Sequence, residues 1–313
     1  MGQVVEYPAF GKDDKRPRVL LAGNGMCRCY NSRSWESLLA SIKWNECKVD
    51  LTSEEFKNVP FPIGAIIATD DHVDEACGVI ARDLMQESYY MAKGELALFR
   101  EMLAVDFDAV ITTNYSYEFE YAMDSKFLKK SNKYAAHTDG CARKEVCYPL
   151  YSFYRMPCNG QLKDIWHIHG EAKNKSSIVL GQYYYINSIS KWRSYLKDAY
   201  TKYYKKEEDK IRPKSWLEYF IFGDVYVVGF GMDLSEIDLW WLLNRKKREE
   251  LPHGKTVFIK DANEELDMMK RSMLEVMDVE IREFSCERTD GKTDYQGLYR
   301  KIIEWLKDGA VSV

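Results

Sequence analysis

No two cysteines in the 313-residue chain are spaced as CxxC, although the chain has eight cysteines. Cysteines scattered over a chain of this length do not make a disulfide framework. The first ten residues contain neither a basic start nor an apolar run, and Glu6 stands where an N-myristoylation pattern requires Ser or Thr. The most apolar stretch, residues 216–232, is interrupted by Glu218 and Asp224, so it is not expected to span a membrane. Together these absences predict a reduced, cytoplasmic protein that does not contact membranes.

An excess of basic residues is also absent. The 45 Lys and Arg residues are outnumbered by 49 Asp and Glu residues, which gives a net charge of −4 and predicts no direct nucleic-acid binding. Hydrophobic residues make up 46% and charged residues 30%, which excludes a coiled-coil rod or a long disordered tail. Aromatic residues reach 14%, which indicates aromatic cores or a surface that meets a partner or a flat ligand.

Short apolar runs without alternation recur along the chain and are rich in β-branched residues. Such runs are typical of strands buried on both faces of a parallel sheet. They occupy residues 18–22, 109–113, 165–169, 178–180, 225–228, 256–259 and 279–284. Helical patterns at 34–42, 235–247 and 295–306 separate or follow them. This alternation predicts an α/β fold with a Rossmann-like, mostly parallel sheet flanked by helices.

Three segments are too long for simple crossovers between parallel strands. We interpret residues of about 45–105, 115–160 and 183–222 as helical insertions that form a cap or small lobe. The core would then consist of residues 18–44, 106–120, 163–182 and 224–313. Length alone suggests about two domains. The motifs described next extend from residue 20 to residue 243, however, so we predict a single domain over 1–313.

The first motif is a glycine loop at 23–25 (GNG), directly after a predicted strand. Glycines in such a loop let backbone N–H groups approach a phosphate, and the N-terminus of the following helix offsets its charge. The fingerprint GxGxxG is incomplete because Arg28 stands at the third glycine position. The same glycines also suit a tight strand-to-loop turn.

A second glycine loop at 229–231 (GFG) follows another predicted strand and is followed by Asp233, Ser235 and Asp238. Its glycines would again clear space for a ligand. Asp233 or Ser235 would cap the helix that begins there, and ordinary capping also accounts for the acidic residues.

Polar side chains mark the ends of two further predicted strands. Asn114 follows the strand at 109–113, where an amide can hold a ribose hydroxyl or a water, and it equally suits an Asx turn or a helix N-cap. His167 and His169 are two residues apart, so they would face the same side of a strand. One of them could act as a general base, whereas a zinc pair or a hydrogen-bonded structural histidine also fits. No HExxH arrangement is present, which disfavours a zinc protease.

The four motifs, in this order, resemble the bacterial SIR2-like domains of the sirtuin-related superfamily. Those domains carry a Gly-x-Gly loop before a Trp-containing helix, then TTNYD, then HG with an apolar run, then a G-aromatic-S loop with Asp. The matching residues here are Gly23, Asn24 and Gly25 with Trp35, residues 112–116, His169 and Gly170 with residues 178–180, and Gly229, Phe230 and Gly231 with Asp233 and Asp238. The matches extend over about two-thirds of the chain, and TTNY and HIHG are the most specific of them.

The resemblance implies that NAD binds across the carboxyl edge of the sheet and is hydrolysed to nicotinamide and ADP-ribose, in antiphage defence and without a metal. It assigns catalysis to Asn114 and His169. Nicotinamide leaves as a neutral molecule, so a base (His169) and an orienting amide (Asn114) are a sufficient set. His167 lacks the following glycine and is expected to pack or to support the site. The expected NAD-binding residues are Gly23, Asn24, Gly25, Met26, Cys27, Thr113, Ser116, Gly229, Phe230, Gly231, Asp233 and Asp238.

Several positions depart from the family pattern. Ser116 replaces the Asp after TTNY, which bears on recognition of the nicotinamide amide, and Cys27 and Gly231 replace serines. Two other functions fit the same motifs. One is a noncatalytic sensor of NAD or ADP-ribose, and the other is a sirtuin-like protein deacylase, which is disfavoured because its paired CxxC zinc ribbon is missing.

A group of potential zinc ligands lies upstream of His169. His137, Cys141, Cys147 and Cys158 are irregularly spaced, which favours reduced cysteines in a packed insertion over a zinc site.

No separate sensor segment can be delimited in the chain. We therefore expect activation from outside, through a partner protein, a small-molecule signal or assembly into a homo-oligomer. The Tyr- and Trp-rich insertion at 183–222 is the candidate contact surface.

Overall fold

A nine-stranded, mostly parallel sheet flanked by helices forms the centre of the protein. The computed structural model describes residues 3–7, 9, 15–30, 34–44, 47–51, 53–91, 96–138, 149–204, 212–249, 253–286, 288–289 and 292–308. The strands of the sheet are β1 (Gln3–Val5), β2 (Arg18–Ala22), β3 (Ala109–Thr112), β4 (Ala135–Thr138), β5 (Ser152–Cys158), β6 (Gln161–His167), β7 (Asp224–Val228), β8 (Thr256–Asp261) and β9 (Val279–Phe284). A separate two-stranded ribbon consists of β10 (Arg288–Thr289) and β11 (Lys292–Thr293).

Helices connect and cover these strands. They are α1 (Trp35–Ser41), α2 (Glu54–Lys57), α3 (Phe61–Thr69), α4 (Val73–Met91), α5 (Ala97–Leu103), α6 (Glu118–Met123), α7 (Phe127–Tyr134), α8 (Gln182–Tyr204), α9 (Trp216–Phe222), α10 (Ile237–Lys247), α11 (Met268–Val276) and α12 (Tyr295–Asp308). Short 3₁₀ turns occur at Cys27–Tyr30 and Lys175–Ser177. Among the described residues, no helix is both long and apolar enough to cross a membrane.

The order of the parallel strands reverses at one point in the sheet. The sheet runs β1-β4-β5-β6-β3-β2-β7-β8-β9, and β6, β3, β2, β7, β8 and β9 are all parallel to their neighbours within that block. Numbered along the chain, these six strands have the order 3-2-1-4-5-6 of a Rossmann fold. The order reverses between β2 and β7, and in open α/β sheets such a switch point is where ligand crevices generally lie, outside the carboxyl ends of the strands. The predicted α/β class with a Rossmann-like sheet is confirmed.

Both faces of the central strands are buried. In β2, Val19 and Leu21 belong to one hydrophobic cluster, and Leu20 and Ala22 belong to another on the opposite face. Helices α8, α9 and α10 contribute to the first cluster, and α5, α6, α7 and α12 contribute to the second. This double covering explains why the strand sequences are apolar without alternation.

A third hydrophobic cluster joins α1, α3 and α4 to the segment after His169. It includes Leu39 of α1, Ala65 of α3 and Ile80 of α4, packed with Ile178 and Leu180. The segment from 45 to 105 therefore supplies helices that pack against the loop carrying the predicted HG motif.

Three expectations about the strands are wrong. Residues 115–160 are not wholly helical, because β4 and β5 from this segment pair in the sheet. Residues 178–180 form no strand and instead follow a 3₁₀ turn as a buried extended segment. The strand expected at 165–169 begins earlier, at Gln161, and ends at His167, because its polar first half pairs antiparallel with β5.

Candidate functional site

A cavity of about 580 Å³ opens at the carboxyl ends of the central strands, where the strand order reverses. Ten of the sequence-predicted site residues line it: Asn24, Gly25, Thr113, Asn114, Ser116, His169, Gly229, Phe230, Gly231 and Asp233. Four others, Gly23, Met26, Cys27 and Asp238, are buried beside them. Leu38 of α1 also lines the cavity, and helices of the insertion at 45–105 supply part of the wall through Phe61 and Leu84.

The two glycine loops pack against each other, backbone on backbone. Gly25 N donates a 2.7 Å hydrogen bond to Gly229 O, and Gly23 N donates a 3.1 Å bond to Val228 O. A Cβ at position 25 would lie 2.5 Å from the Tyr299 hydroxyl and 2.7 Å from Gly229 Cα. Gly25 is therefore required for close approach of the loops, as the turn interpretation expects, and it also lines the cavity.

Asn114 is fixed at the end of β3 by contacts with the first glycine loop. Its Nδ2 donates to Gly23 O at 3.3 Å and to Cys27 Sγ at 3.2 Å. Both amide hydrogens are engaged, so Oδ1 is the atom that can accept a hydrogen bond from a ligand hydroxyl. Cys27, one of the departures from the family pattern, is thus a contact of the predicted orienting amide. The N-cap of α6 is Tyr117, so Asn114 is not a helix cap.

His167 is hydrogen-bonded to the backbone of Asn114. Its Nδ1 lies 2.8 Å from Asn114 O, and its Nε2 lies 2.8 Å from Glu120 Oε1. A carbonyl and a carboxylate can only accept, so both ring nitrogens carry hydrogen. Burial alone would lower the pKa of His167, but the charge and hydrogen bond of Glu120 outweigh burial and raise it to about 9. His167 is therefore an imidazolium that holds the backbone of Asn114.

His169 contacts a different part of the protein. Because β6 ends at His167, the expectation that His167 and His169 share one face is wrong: the first contacts α6, and the second contacts α10. Gly170 makes this turn possible with φ +89°, and a Cβ there would lie 2.1 Å from Ser177 O. The HG pair thus directs His169 into the cavity wall while the next residues turn away.

Two carboxylates flank the His169 ring, one at each nitrogen. Nε2 lies 3.0 Å from Asp238 Oδ2, and Nδ1 lies 4.0 Å from Glu236 Oε2. Asp238 is completely buried, and its other oxygen accepts from Leu239 N at 2.8 Å. Burial opposes the charged form, yet the charge and hydrogen bond of Asp238 raise the pKa of His169 above its ordinary value. Because Asp238 only accepts, it places the hydrogen of neutral His169 on Nε2 and leaves the lone pair on Nδ1.

Glu236 is a buried carboxyl group that lines the cavity. Its Oε2 accepts a 3.3 Å hydrogen bond from the Tyr185 hydroxyl, and the Tyr185 ring lies edge-on to His169. Burial raises the pKa of Glu236 to about 7, against the opposing charge of His169. A carboxyl group with such a pKa can exchange protons near neutrality.

Ser116 and Glu118 form a second polar pair beside Asn114. Ser116 Oγ donates a 2.6 Å bond to Glu118 Oε1, and both residues line the cavity. Burial raises the pKa of Glu118. A carboxyl group therefore lies near the position where the family carries Asp, although it comes from two residues further along the chain.

Capping of α10 differs from the expectation. The N-cap is Glu236, which makes no side-chain capping bond, whereas Asp233 Oδ1 accepts from both N and Oγ of Ser235 in the preceding turn. The capping prediction for Asp233 and Ser235 is therefore wrong, because the helix begins after them.

His169, Glu236 and Asp238 have ligand atoms within 4.8 Å of one another, a spacing that a metal ion requires. The two carboxylates, however, lie at different ring nitrogens, whereas a single ion binds one nitrogen of an imidazole. This geometry suits hydrogen bonding of the ring better than shared ligation. Of the potential zinc ligands upstream of His169, Cys141 and Cys147 lie outside the described residues, and Cys158 has a free thiol at the end of β5.

The far end of the cavity lies over β8 and the last helix. It is lined there by residues 258–261 at the end of β8, by Glu264 and Lys270, and by Tyr299 of α12. Lys270 also donates a 2.9 Å hydrogen bond to Gly231 O, which ties α11 to the second glycine loop.

Sequence reasoning missed Glu236, Tyr185 and Glu118. Glu236 and Glu118 are close in sequence to predicted residues, but nothing in the local pattern distinguishes them from surface carboxylates. Tyr185 is one of several tyrosines in its segment.

No protein-family model matches the chain, and no curated protein matches it.

Proposed function

We propose that the protein is an NAD glycohydrolase, which cleaves NAD to nicotinamide and ADP-ribose. One observation carries the proposal: Asn114, His169 and both glycine loops line a single cavity at the switch point of a 3-2-1-4-5-6 sheet. That place is the dinucleotide crevice of Rossmann folds, and the volume of about 580 Å³ is within the range of small-molecule and cofactor sites.

The contacts suit this chemistry. Cleavage of the bond between ribose C1′ and the pyridinium nitrogen gives neutral nicotinamide, so the protein need not protonate the leaving group. Asn114 Oδ1 would accept a hydrogen bond from a ribose hydroxyl or from the attacking water. His169 Nδ1 would accept a proton, because Asp238 fixes the opposite nitrogen as the donor.

The other end of the cavity supports a dinucleotide as substrate. The glycine loops offer backbone close to a pyrophosphate, and Asp261 at the end of β8 is a buried carboxylate bordering the cavity. In Rossmann folds the acidic side chain that binds the ribose follows the glycine loop by about 20 residues. Here Asp261, which also accepts hydrogen bonds from Asn263 and Cys286, would bind the ribose hydroxyls from the end of β8. Adenosine would therefore lie over β8 and nicotinamide beside His169.

The test follows nicotinamide release from NAD by the purified chain, alone and together with the products of neighbouring genes. We expect Asn114→Ala and His169→Ala each to lower the turnover number by about 10²-fold or more, because each removes a positioned polar group. Glu275→Gln, on the exposed side of α11, is the matched control. Binding of NAD without any release would instead support a sensor, and release only with an acylated peptide would support a deacylase.

We propose that activity is regulated from outside the chain, since uncontrolled NAD depletion is toxic, and that the role is antiphage defence. The activator would be a partner protein, a small signal or self-assembly. Full turnover by the purified monomer without additions would disprove the regulatory part and leave the hydrolysis intact.

A further inference from the structure

The carboxyl group of Glu236 lies where the proposed reaction needs a proton acceptor. It lines the cavity beside His169, with Oε2 4.0 Å from Nδ1, whereas Asp238 is completely buried on the other side of the ring. Of the two flanking carboxylates, only the one at the basic nitrogen therefore borders the cavity.

The gap between these two atoms fits one oxygen atom. If an oxygen lay at an ordinary hydrogen-bond length of about 2.8 Å from both atoms, the angle Nδ1–O–Oε2 at that oxygen would be about 90°. A separation of 4.0 Å is too long for a direct hydrogen bond between them. A water held in this way would be hydrogen-bonded to His169 and Glu236 together.

We propose that Glu236 is a further catalytic residue, which together with His169 Nδ1 binds and deprotonates the attacking water. This inference rests on the proposed NAD hydrolysis. The water oxygen forms a bond to ribose C1′ while the C1′–N bond breaks, and the electron pair of that bond neutralises the pyridinium nitrogen. The proton lost by water passes to the pair formed by Glu236 and His169, and then to solvent.

Neighbouring groups keep this pair able to accept one proton. Tyr185 donates to Glu236 and Asp238 holds His169. The charged and titratable groups that act on Glu236 come from the loops after β3 and β6, from α8, and from the start of α10: Tyr115, His169, Tyr185, Asp233 and Asp238. Asp238 is a positioning residue in this scheme, because it acts only through His169.

The decisive variant is Glu236→Gln, which keeps the shape of the side chain and removes its basicity. We expect the turnover number to fall by about 10²-fold, with the Kd for NAD little changed. The Glu236 charge also raises the pKa of His169. The acid limb of the pH–rate profile should therefore move to lower pH in the variant. The turnover number on the plateau above this limb should stay low if Glu236 helps to deprotonate the water, whereas a Glu236 that only raises the pKa of His169 would leave the plateau rate unchanged. Glu275→Gln is again the control.

The outcomes separate the two proposals. A wild-type plateau rate in Glu236→Gln, whether or not the acid limb moves, would overturn the role of Glu236 while NAD hydrolysis stands. A lower rate accompanied by a lower melting temperature, with the limb unmoved, would make Glu236 structural and also overturn it. If the wild-type chain binds NAD but releases no nicotinamide with any neighbour, both proposals fall.

Discussion

The buried pair of His167 and Glu120 makes the stability of the protein depend on pH in a predictable direction. Both side chains are about 1% exposed, and each ring nitrogen faces an acceptor at 2.8 Å. The pKa of His167 rises from 6.5 to about 9 in the folded state. At about 1.4 kcal/mol per pKa unit, this shift corresponds to a stabilisation of about 3 kcal/mol.

Because the folded-state pKa is the higher one, the stabilisation is fully present below pH 6.5 and is lost as the pH rises through about 9. Glu120→Gln removes the charge that raises the pKa. Breaking a buried pair costs about 3–5 kcal/mol, so the variant should be destabilised by about 3 kcal/mol at pH 6. The difference in unfolding free energy between wild type and variant should become smaller above pH 9.

Urea unfolding from pH 6 to pH 10 measures this difference, with Glu275→Gln as the control because it makes the same change at an exposed glutamate of α11. Nitrogen-15 NMR of His167 should show both ring nitrogens protonated at pH 7. A difference in unfolding free energy that stays constant from pH 6 to pH 10 would refute the assignment of His167 as an imidazolium.

Two further predictions concern the geometry of the site. Gly25→Ala should lower the unfolding free energy by about 1–3 kcal/mol through overpacking, because the new Cβ would contact Tyr299 and Gly229. Gly231→Ala should change the unfolding free energy by less than about 0.5 kcal/mol, because a Cβ there has no heavy atom within 4 Å. Equal effects of the two variants in urea unfolding would contradict the close packing of the loops. Asp238→Asn should lower the pKa of His169, because the variant removes the charge beside its Nε2. The variant should also reduce nicotinamide release on the order of 10²-fold, because the amide no longer selects the Nε2–H tautomer. An NMR titration of His169 that is the same in the variant and in wild type would rule out this role of Asp238.

The sequence was sufficient to predict the central strands, because burial on both faces leaves a plain apolar signal. Residues 18–22 and 279–284 are strands with the expected bounds. The strands β1, β4 and β5 were not predicted, because they are short or polar and form by pairing with residues that are distant in the sequence. Such pairing is a tertiary effect that local propensity does not record.

For the candidate site, the sequence predicted which residues lie together but not which side chains contact them. Asn114 and His169 do line one cavity, as the order of motifs suggests. Asp238, which was predicted as an NAD-binding residue, is completely buried and contacts His169, and Glu236 was not singled out at all. Both roles depend on α10 packing across the sheet from the loop after β6, an arrangement that no spacing along the chain encodes.

That arrangement places the proposed proton acceptors on both sides of the switch point. His169 follows β6, on one side of β2, whereas Glu236 and Asp238 follow β7, on the other side. Strands β2 and β7 join the two halves by parallel pairing, and beyond the strand ends Gly25 N donates to Gly229 O at 2.7 Å. A Cβ at position 25 would lie 2.7 Å from Gly229 Cα, so a larger residue there would push the two loops apart. Glycine at position 25 therefore contributes to the alignment of His169 with Asp238 across this join.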